Sequence, residues 1–294
     1  MLRPLIRSLY LLPAVGLIGG AEIATASSAG QTLEARQVDH AIVLDGEIDD
    51  WADIAGITVP LSGTGGADRV ELKAALRGDR IYVLAVWDDP TKNDLHKPYV
   101  WNEELQAYDK TERMEDRFAI AFAMRGQFSA NKLDGSEFEA DKWHWKAARS
   151  NPAGLAHDKY WKVSRTPFEG GRAFESPNGG TVYLARPSDA GDWLYKHVRY
   201  FLKQADVMPL YEVNRDPKGS IADVRAKGVW REGRWYLELS RVLDTGHDDD
   251  TVIPASGTIE IAVAVFDGVS FNVVDGGMHS VSAKLRLRTL SPSS

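Results

Sequence analysis

The sequence of 294 residues contains no cysteine. Disulfide bonds are therefore excluded, as are cysteine-ligated iron–sulfur clusters, cysteine zinc sites and haem attached through thioether bonds. A chain without such links depends on its hydrophobic core for stability. The hydrophobic fraction of 44% is typical of a globular protein that can form a sizeable core.

Long apolar runs and an excess of basic residues are missing as well. Beyond the N-terminal segment, no apolar run approaches the roughly 20 residues that a membrane-spanning helix needs. The formal net charge is −7, and it stays negative without the N-terminal segment. Nucleic acid is therefore not expected as a partner, because its phosphates attract basic surfaces.

Residues 1–26 have the features of a cleavable secretory signal peptide. Two arginines form a positive start, residues 9–18 form a short apolar segment, and Ala24-Thr25-Ala26 matches the A-x-A cleavage pattern. The apolar segment is too short to span a bilayer comfortably. We expect residues 27–294 to be a periplasmic protein with a single domain and no membrane span.

Strand-like patterns dominate the remaining sequence. Apolar residues alternate with polar ones or form short runs that end at turn-forming residues, which is typical of β-strands. Gly233 also predicts a hairpin turn between Val229-Trp230 and Trp235-Tyr236. The predicted strand segments are Ala41–Leu44, Val70–Leu76, Arg80–Trp87, Arg117–Met124, Trp235–Leu239, Ile259–Phe266 and Val281–Arg288.

Helical patterns are rare. Residues 193–206 are the one segment predicted as a helix, while residues 88–115 and 147–192 are long, polar and contain Gly or Pro. Loops of that length on a β scaffold commonly carry function. The sequence thus predicts an all-β fold, namely a β-sandwich with strands from both ends of the chain, long loops and one or two short helices.

Signatures of hydrolytic enzymes are absent from the sequence. There is no G-x-S-x-G motif, no H-E-x-x-H motif and no P-loop. Acidic residues occur mostly in turn-like runs such as Asp248-Asp249-Asp250, which are typical of solvated surfaces. We identify no catalytic residues and expect a protein that is not an enzyme.

Two of the seven histidines occur in contexts that suggest ligand binding. His144 lies between Trp143 and Trp145, and in a strand it would face opposite to both. His279 follows Gly276-Gly277 and precedes a predicted strand, and glycine lets a backbone approach a flat ligand closely. The residue types alone leave open an ordinary hydrogen-bonding role for each histidine.

Several motifs together resemble one family. Asp45–Trp51 is similar to the opening of DOMON and family 9 carbohydrate-binding sandwiches. Trp143–Ala147 resembles the W-x-W-K-A signature of the haem-binding gamma subunits of ethylbenzene dehydrogenase. Ala264–Gly268 and Gly277–Ser282 resemble the C-terminal signature of the same gamma subunits. The resemblance covers approximately residues 38–288, which is nearly all of the expected mature chain.

The resemblance implies a DOMON-like β-sandwich that holds one non-covalent haem b and transfers electrons. The family's haem iron has a Met and a Lys as ligands, and His279 stands at the position of the Lys. For the second axial ligand, His144 and Met124 are alternatives, and Lys132 is a more distant one. The other residues expected to contribute to cofactor binding are Met278, Trp143, Trp145 and Lys146.

The resemblance also implies a redox partner. The family's gamma subunits lie beside a molybdenum enzyme and its iron–sulfur subunit, so we expect a redox partner protein, a membrane cytochrome or a molybdenum enzyme complex. The alternative is a carbohydrate-binding β-sandwich without haem, in which the nine Trp residues would supply platforms for sugar rings. Colour separates these alternatives, because a haem protein from a haem-replete host is red.

The signal-peptide prediction is testable on protein exported by its native route. Because the A-x-A pattern ends at Ala26, we expect a soluble product whose chain starts at or near Ser27. Intact-mass measurement reports the start of the chain directly. A product that retains Met1, or one embedded in the membrane, would contradict the prediction.

Overall fold

The computed structural model describes residues 30–63, 66–268 and 280–290. The predicted signal peptide and the predicted ligand residues Met278 and His279 lie outside the described residues. No helix in the described ranges is long and apolar enough to cross a membrane.

The described residues form mainly β-strands. Their bounds are β1 (Thr32–Gln37), β2 (Gly56–Pro60), β3 (Ser62–Gly63), β4 (Arg69–Arg77), β5 (Arg80–Asp88), β6 (Tyr99–Asn102), β7 (Ala107–Lys110), β8 (Arg117–Gly126), β9 (Phe138–Lys146), β10 (His157–Ser164), β11 (Arg172–Glu175), β12 (Thr181–Ala185), β13 (Tyr195–His197), β14 (Val207–Met208), β15 (Tyr211–Val213), β16 (Arg225–Arg231), β17 (Arg234–Val242), β18 (Gly257–Phe266), β19 (Ser280–Val281) and β20 (Leu285–Leu290).

Most strands belong to one hydrogen-bonded array that forms a β-sandwich. Its path runs β11-β12-β10-β9-β8-β18-β20-β1-β4-β5-β17-β16. β1 joins the two halves, since it pairs in parallel with β20 on one side and with β4 on the other. The other ladders between the described strands on this path are antiparallel. The predicted all-β sandwich with strands from both ends of the chain is therefore confirmed.

The core between the two halves is built around tryptophan rings. The Trp145 ring centroid lies 4.9 Å from that of Trp235 and 6.1 Å from that of Trp87, which stacks on Phe118 at 5.7 Å. The backbone of Gly228 touches the Trp145 ring so closely that a Cβ atom there would lie 2.3 Å from it. These aromatic contacts hold β8 and β9 of one half against β5 and β17 of the other.

Most of the predicted strand segments are confirmed, with two differences. Residues Ala41–Leu44 do not form a strand. In that segment the Val43 amide donates to the Asp50 carboxylate at 2.7 Å, and Ile42 packs in a small cluster with Trp51, so a loop buries these apolar residues. The segment Val281–Arg288 is interrupted and contributes to both β19 and β20.

The predicted hairpin turn is confirmed. Arg231 and Arg234 pair across it, and Glu232 and Gly233 both have positive φ angles, of 51° and 77°. A two-residue turn of this kind matches the twist of the flanking strands.

The helix predicted for residues 193–206 is wrong. Part of this segment is β13, in which Tyr195 and His197 pair with β15, and both rings pack against the ring of Tyr211. Aromatic contacts made across strands therefore outweigh the local helical pattern. The helices among the described residues are single 3₁₀ turns at Asp49–Trp51, Asn151–Ala153 and Ser220–Ala222.

The two long loops predicted from polarity are also wrong in part. Residues 88–115 contain β6 and β7, and residues 147–192 contain β10, β11 and β12. Their strands read as polar because several of their side chains face solvent or a charged surface instead of the core. This difference matters because β10 forms part of the candidate site.

Arg241 is the centre of a network of buried charged side chains. Arg241 of β17 has no exposed surface, and its Nη1 atom lies 2.5 Å from the Asp141 carboxylate and 2.9 Å from the Asp250 carboxylate. Its Nη2 atom donates to the Thr251 carbonyl at 2.5 Å. One guanidinium thus neutralises carboxylates from separate segments of the chain.

Replacing Arg241 with Met tests this network. Removing the cation leaves buried carboxylates without a partner, so we expect the free energy of unfolding to fall by about 3–5 kcal/mol in urea denaturation. Arg234→Met is a matched control on the same strand, because Arg234 is 35% exposed and pairs with Asp88 and Glu71 at the surface. The control should cost about 0–1 kcal/mol. Equal losses for the two variants would contradict the assignment.

Candidate functional site

The outer face of one half of the sandwich carries the candidate site. Four adjacent strands, β18, β8, β9 and β10, align their residues in rows across this face. In two neighbouring rows, alanines from β18 and β8 are followed by basic residues from β9 and β10. These rows are Ala264, Ala119, His144 and His157, and then Ala262, Ala121, Lys142 and Lys159.

A cavity of about 120 Å³, partly open to solvent, lies above the four alanines. Because an alanine side chain ends at Cβ, the sheet offers a low, flat floor there. The described lining residues are apolar or basic, and none of them is acidic. Such a cavity suits a flat, mainly apolar ligand. Besides the alanines of the floor, the lining residues are Ala130, Lys132, Lys142, Trp161, Arg186, Val263, Phe266 and Val281.

His144 does not itself line this cavity, but it lies beside it with an unused nitrogen. The histidine is 8% exposed, and its ring centroid lies 5.6 Å from that of Phe266, which lines the cavity. Its Nε2 atom has no hydrogen-bond partner among the described residues. Burial, and then the charges of Lys142 and Lys146, hold the pKa of His144 well below its usual value. The imidazole is therefore neutral and has a free coordination or hydrogen-bonding position.

The alternation predicted for the W-H-W segment is confirmed. Trp143 and Trp145 are fully buried in the core between the halves, while His144 faces the outer surface. The two indoles therefore do not line the cavity. They hold β9 in place from behind, which fixes the direction of His144.

The other predicted ligand residues differ in whether they line this cavity. Met124 is the extra residue of a β-bulge between Ala123 and Arg125, and it does not line the cavity. Lys132 does line it. His279 and Met278 lie outside the described residues, although Val281, two positions after His279, also lines the cavity.

Lys146 belongs to a buried hydrogen-bonded chain behind His144. Its Nζ atom lies 2.6 Å from His157 Nδ1, and His157 Nε2 lies 2.8 Å from the Ser188 hydroxyl. Burial, and then the charge of Arg149, lower the pKa of Lys146 well below its usual value. Lys146 thus does not line the cavity, and its contact at the site is the one with His157.

The positions of Lys142, Lys159 and His157 at this site were not predicted from the sequence. A signal for them existed, because basic residues occupy every second position near the end of β9 and again at the start of β10. That alternation places them on one face with His144. Assigning residues 147–192 to a loop concealed it.

Carboxylate clusters elsewhere provide oxygen atoms at distances that suit a metal ion. In each cluster, every residue offers one possible ligand atom, which is a carboxylate oxygen or a histidine nitrogen. These atoms all lie within 4.8 Å of one another. The cluster around Asp141 already has the Arg241 guanidinium between its carboxylates. The clusters among the described residues are Asp89, Asp116 and Asp267; Asp141, Asp158 and Asp250; and Asp223, His247 and Asp250.

Comparison with known proteins identifies one family, and it also finds solved structures with limited similarity to this chain. The sequence matches the family described as ethylbenzene dehydrogenase over residues 49–274. Two structures of a family 9 carbohydrate-binding module from Caldicellulosiruptor kristjanssonii, with cellotriose and with glucose, are each 13% identical to this chain with a TM-score of 0.39. They cover 89% and 90% of this chain and 96% and 99% of their own. No protein with a curated description matches the sequence.

The protonation of His144 can be measured directly. Because burial disfavours the charged imidazolium, we expect His144 and His157 to stay neutral as the pH falls from about 8 to about 5. His247 is the internal control, since its hydrogen bond to Asp223 raises its pKa. Side-chain ¹H–¹⁵N NMR should show His247 titrating while the other two rings do not. A His144 signal that titrates in step with His247 would contradict the burial argument.

Proposed function

Because the chain belongs to the ethylbenzene dehydrogenase family, we propose that it is a periplasmic electron-transfer protein that binds one haem b non-covalently in the cavity above the four alanines. The observation that carries this proposal is the buried, neutral His144 with its unpartnered Nε2 atom at the edge of the cavity.

The cavity has a lining whose chemistry suits haem. Its alanine floor is flat enough for a macrocycle, and Trp161 and Phe266 offer aromatic surfaces at its sides. The chain contains no cysteine, so the macrocycle would be held by axial ligands and pocket contacts alone. Bound haem would supply a single iron that accepts and releases one electron.

We propose His279 and His144 as the axial ligands, with Met124 as the alternative to His144. A neutral imidazole nitrogen is a good iron ligand, and burial keeps His144 in that form. His144 is held from behind by the two buried indoles of its own strand. His279 precedes Ser280, which pairs with Val265 in the strand that contributes half of the alanine floor.

The remaining role of the chain is to exclude water and to provide a docking surface for a redox partner. We propose that the partner donates or accepts single electrons, as a membrane cytochrome or a molybdenum enzyme complex would. Under this proposal the protein performs no substrate chemistry of its own.

The carbohydrate-binding alternative has less support from the positions of the tryptophans. A sugar platform needs an exposed aromatic ring, whereas most of the indoles here are in the interior. Trp193 is one of the more exposed, at 43%. The tryptophans buried in the core are Trp51, Trp87, Trp143, Trp145 and Trp235.

Ligand substitution with haem reconstitution tests the proposal. We expect wild-type protein to bind haem with a six-coordinate, low-spin spectrum, and His279→Ala or His144→Ala to leave an open iron position and weaken haem binding. If Met124 is the second ligand instead, Met124→Leu will show this loss and His144→Ala will not.

The control for this experiment is His247→Ala, since His247 is 44% exposed and lies outside the cavity. It should leave the spectrum unchanged. Full haem loading with an unaltered low-spin spectrum in His279→Ala would show that the assignment of this residue is wrong. Failure of the wild-type protein to bind haem would reject the proposed function.

A further inference from the structure

Three hydrogen-bond donors on residues that line the cavity have no acceptor among the described residues. The side-chain amines of Lys132 and Lys142 lie 4.1 Å and 4.7 Å from the centroid of the Trp161 ring. Neither amine forms a hydrogen bond or ion pair with another described residue. The Trp161 Nε1 atom is also buried without a partner, in a residue that is 8% exposed.

Burying amines in this way is unfavourable unless an anion accompanies them. Lys142 is 6% exposed, and burial followed by the charge of Lys132 lowers its pKa well below the usual value. Burial, and then the charge of Arg186, lower the pKa of Lys132 to about 8. None of the described lining residues carries a compensating negative charge.

Elsewhere in the described structure, two buried guanidinium groups do have acidic partners. Arg241 contacts Asp141 and Asp250, and the Arg149 guanidinium contacts the buried Glu115 carboxylate. The cavity departs from this pattern, because its described lining contains basic residues and no acidic one. The missing acceptor is therefore expected to come from the ligand.

We propose that Lys132, Lys142 and Trp161 form a carboxylate-binding subsite, so that the cavity selects a flat apolar molecule with acidic groups along one edge. In haem these groups are the two propionates. The identification with haem rests on the proposed function, whereas the preference for carboxylates rests on the unpartnered donors.

The subsite also orients the ligand on the sheet. Lys142 lies in the row next to that of His144, and Trp161 lies one row further along, opposite Ala140. Phe266 lies in the row on the opposite side of the His144 row, where it pairs with Arg117. The acidic edge of the ligand therefore points towards Trp161, and its apolar edge points towards Phe266.

Iron-free protoporphyrin IX and its dimethyl ester test the subsite without any contribution from iron ligation. The diacid and the ester share one ring system, so their affinities, measured by fluorescence titration, report the carboxylates alone. We expect wild-type protein to bind the diacid roughly tenfold more tightly than the ester, as expected for charge-assisted hydrogen bonds. Equal affinity for the two would overturn the proposal.

Substitutions then locate the donors. Lys132→Met should weaken binding of the diacid roughly tenfold and leave binding of the ester unchanged, because it removes an ammonium group and keeps the aliphatic chain. Trp161→Phe keeps an aromatic surface and removes the N–H, so it should produce a smaller loss, again for the diacid only. Unchanged diacid affinity in Lys132→Met would reject the role of this amine.

Lys162→Met is the matched control on the same strand as Trp161. The Lys162 amine lies 3.6 Å from the Glu139 carboxylate, its side chain is 42% exposed, and it does not line the cavity. It should alter neither affinity. Arg186→Met adds a second cavity variant at an exposed position, where the core packing is not disturbed. It should also weaken the diacid selectively, even if Lys132→Met fails to fold.

Haem and its dimethyl ester separate the two proposals. If both bind equally well and give low-spin spectra, the carboxylate subsite fails and the haem function stands. If neither haem nor the iron-free diacid binds, both proposals fail. Tighter binding of each diacid than of its ester supports the subsite.

Discussion

The contact of Trp145 with Trp235, Trp87 and Gly228 is the constraint on which the rest of the structure depends. Successive residues of a strand face opposite sides, so fixing Trp143 and Trp145 in the core also fixes the residues between and beside them. Those residues are Lys142, His144 and Lys146, which no apolar core could accommodate without cost. One set of aromatic contacts therefore both joins the halves of the sandwich and presents basic side chains on its outer face.

The outer face is unusual because small and basic residues share it. Alanines on β8 and β18 remove bulk, and the adjacent strands β9 and β10 contribute nitrogen atoms. Neither group would stabilise an isolated sheet, since alanine packs little surface and buried amines require partners. Under the proposed function, a bound ligand would complete this surface.

The sequence predicted the sandwich well because its core strands keep either a period-2 apolar pattern, as in β4 and β18, or a continuous apolar run that ends at turn residues, as in β5 and β8. It predicted poorly where both faces of a strand are polar or where contacts are distant. Residues 193–206 have a helix-like apolar spacing, yet cross-strand packing of Tyr195 on Tyr211 decides their structure. The outward direction of His144 followed from alternation alone. The alanine floor and the row alignment of Lys142 could not be foreseen, because they depend on the register between strands far apart in the chain.

The parallel pairing of β1 with β20 and β4 has a consequence for how the chain reaches this state. Residue contacts such as Leu33 with Leu287 connect positions near opposite ends of the chain, and the antiparallel partner of β20 is β18. Until β20 (Leu285–Leu290) is available, β1 and β18 each lack one of their two neighbouring strands. The connection between the two halves is then incomplete. A topology of such high contact order forms slowly and requires nearly the whole polypeptide. The sandwich therefore closes only once β20 is available, and the cavity beside it is complete only once β19, which contributes Val281, has formed.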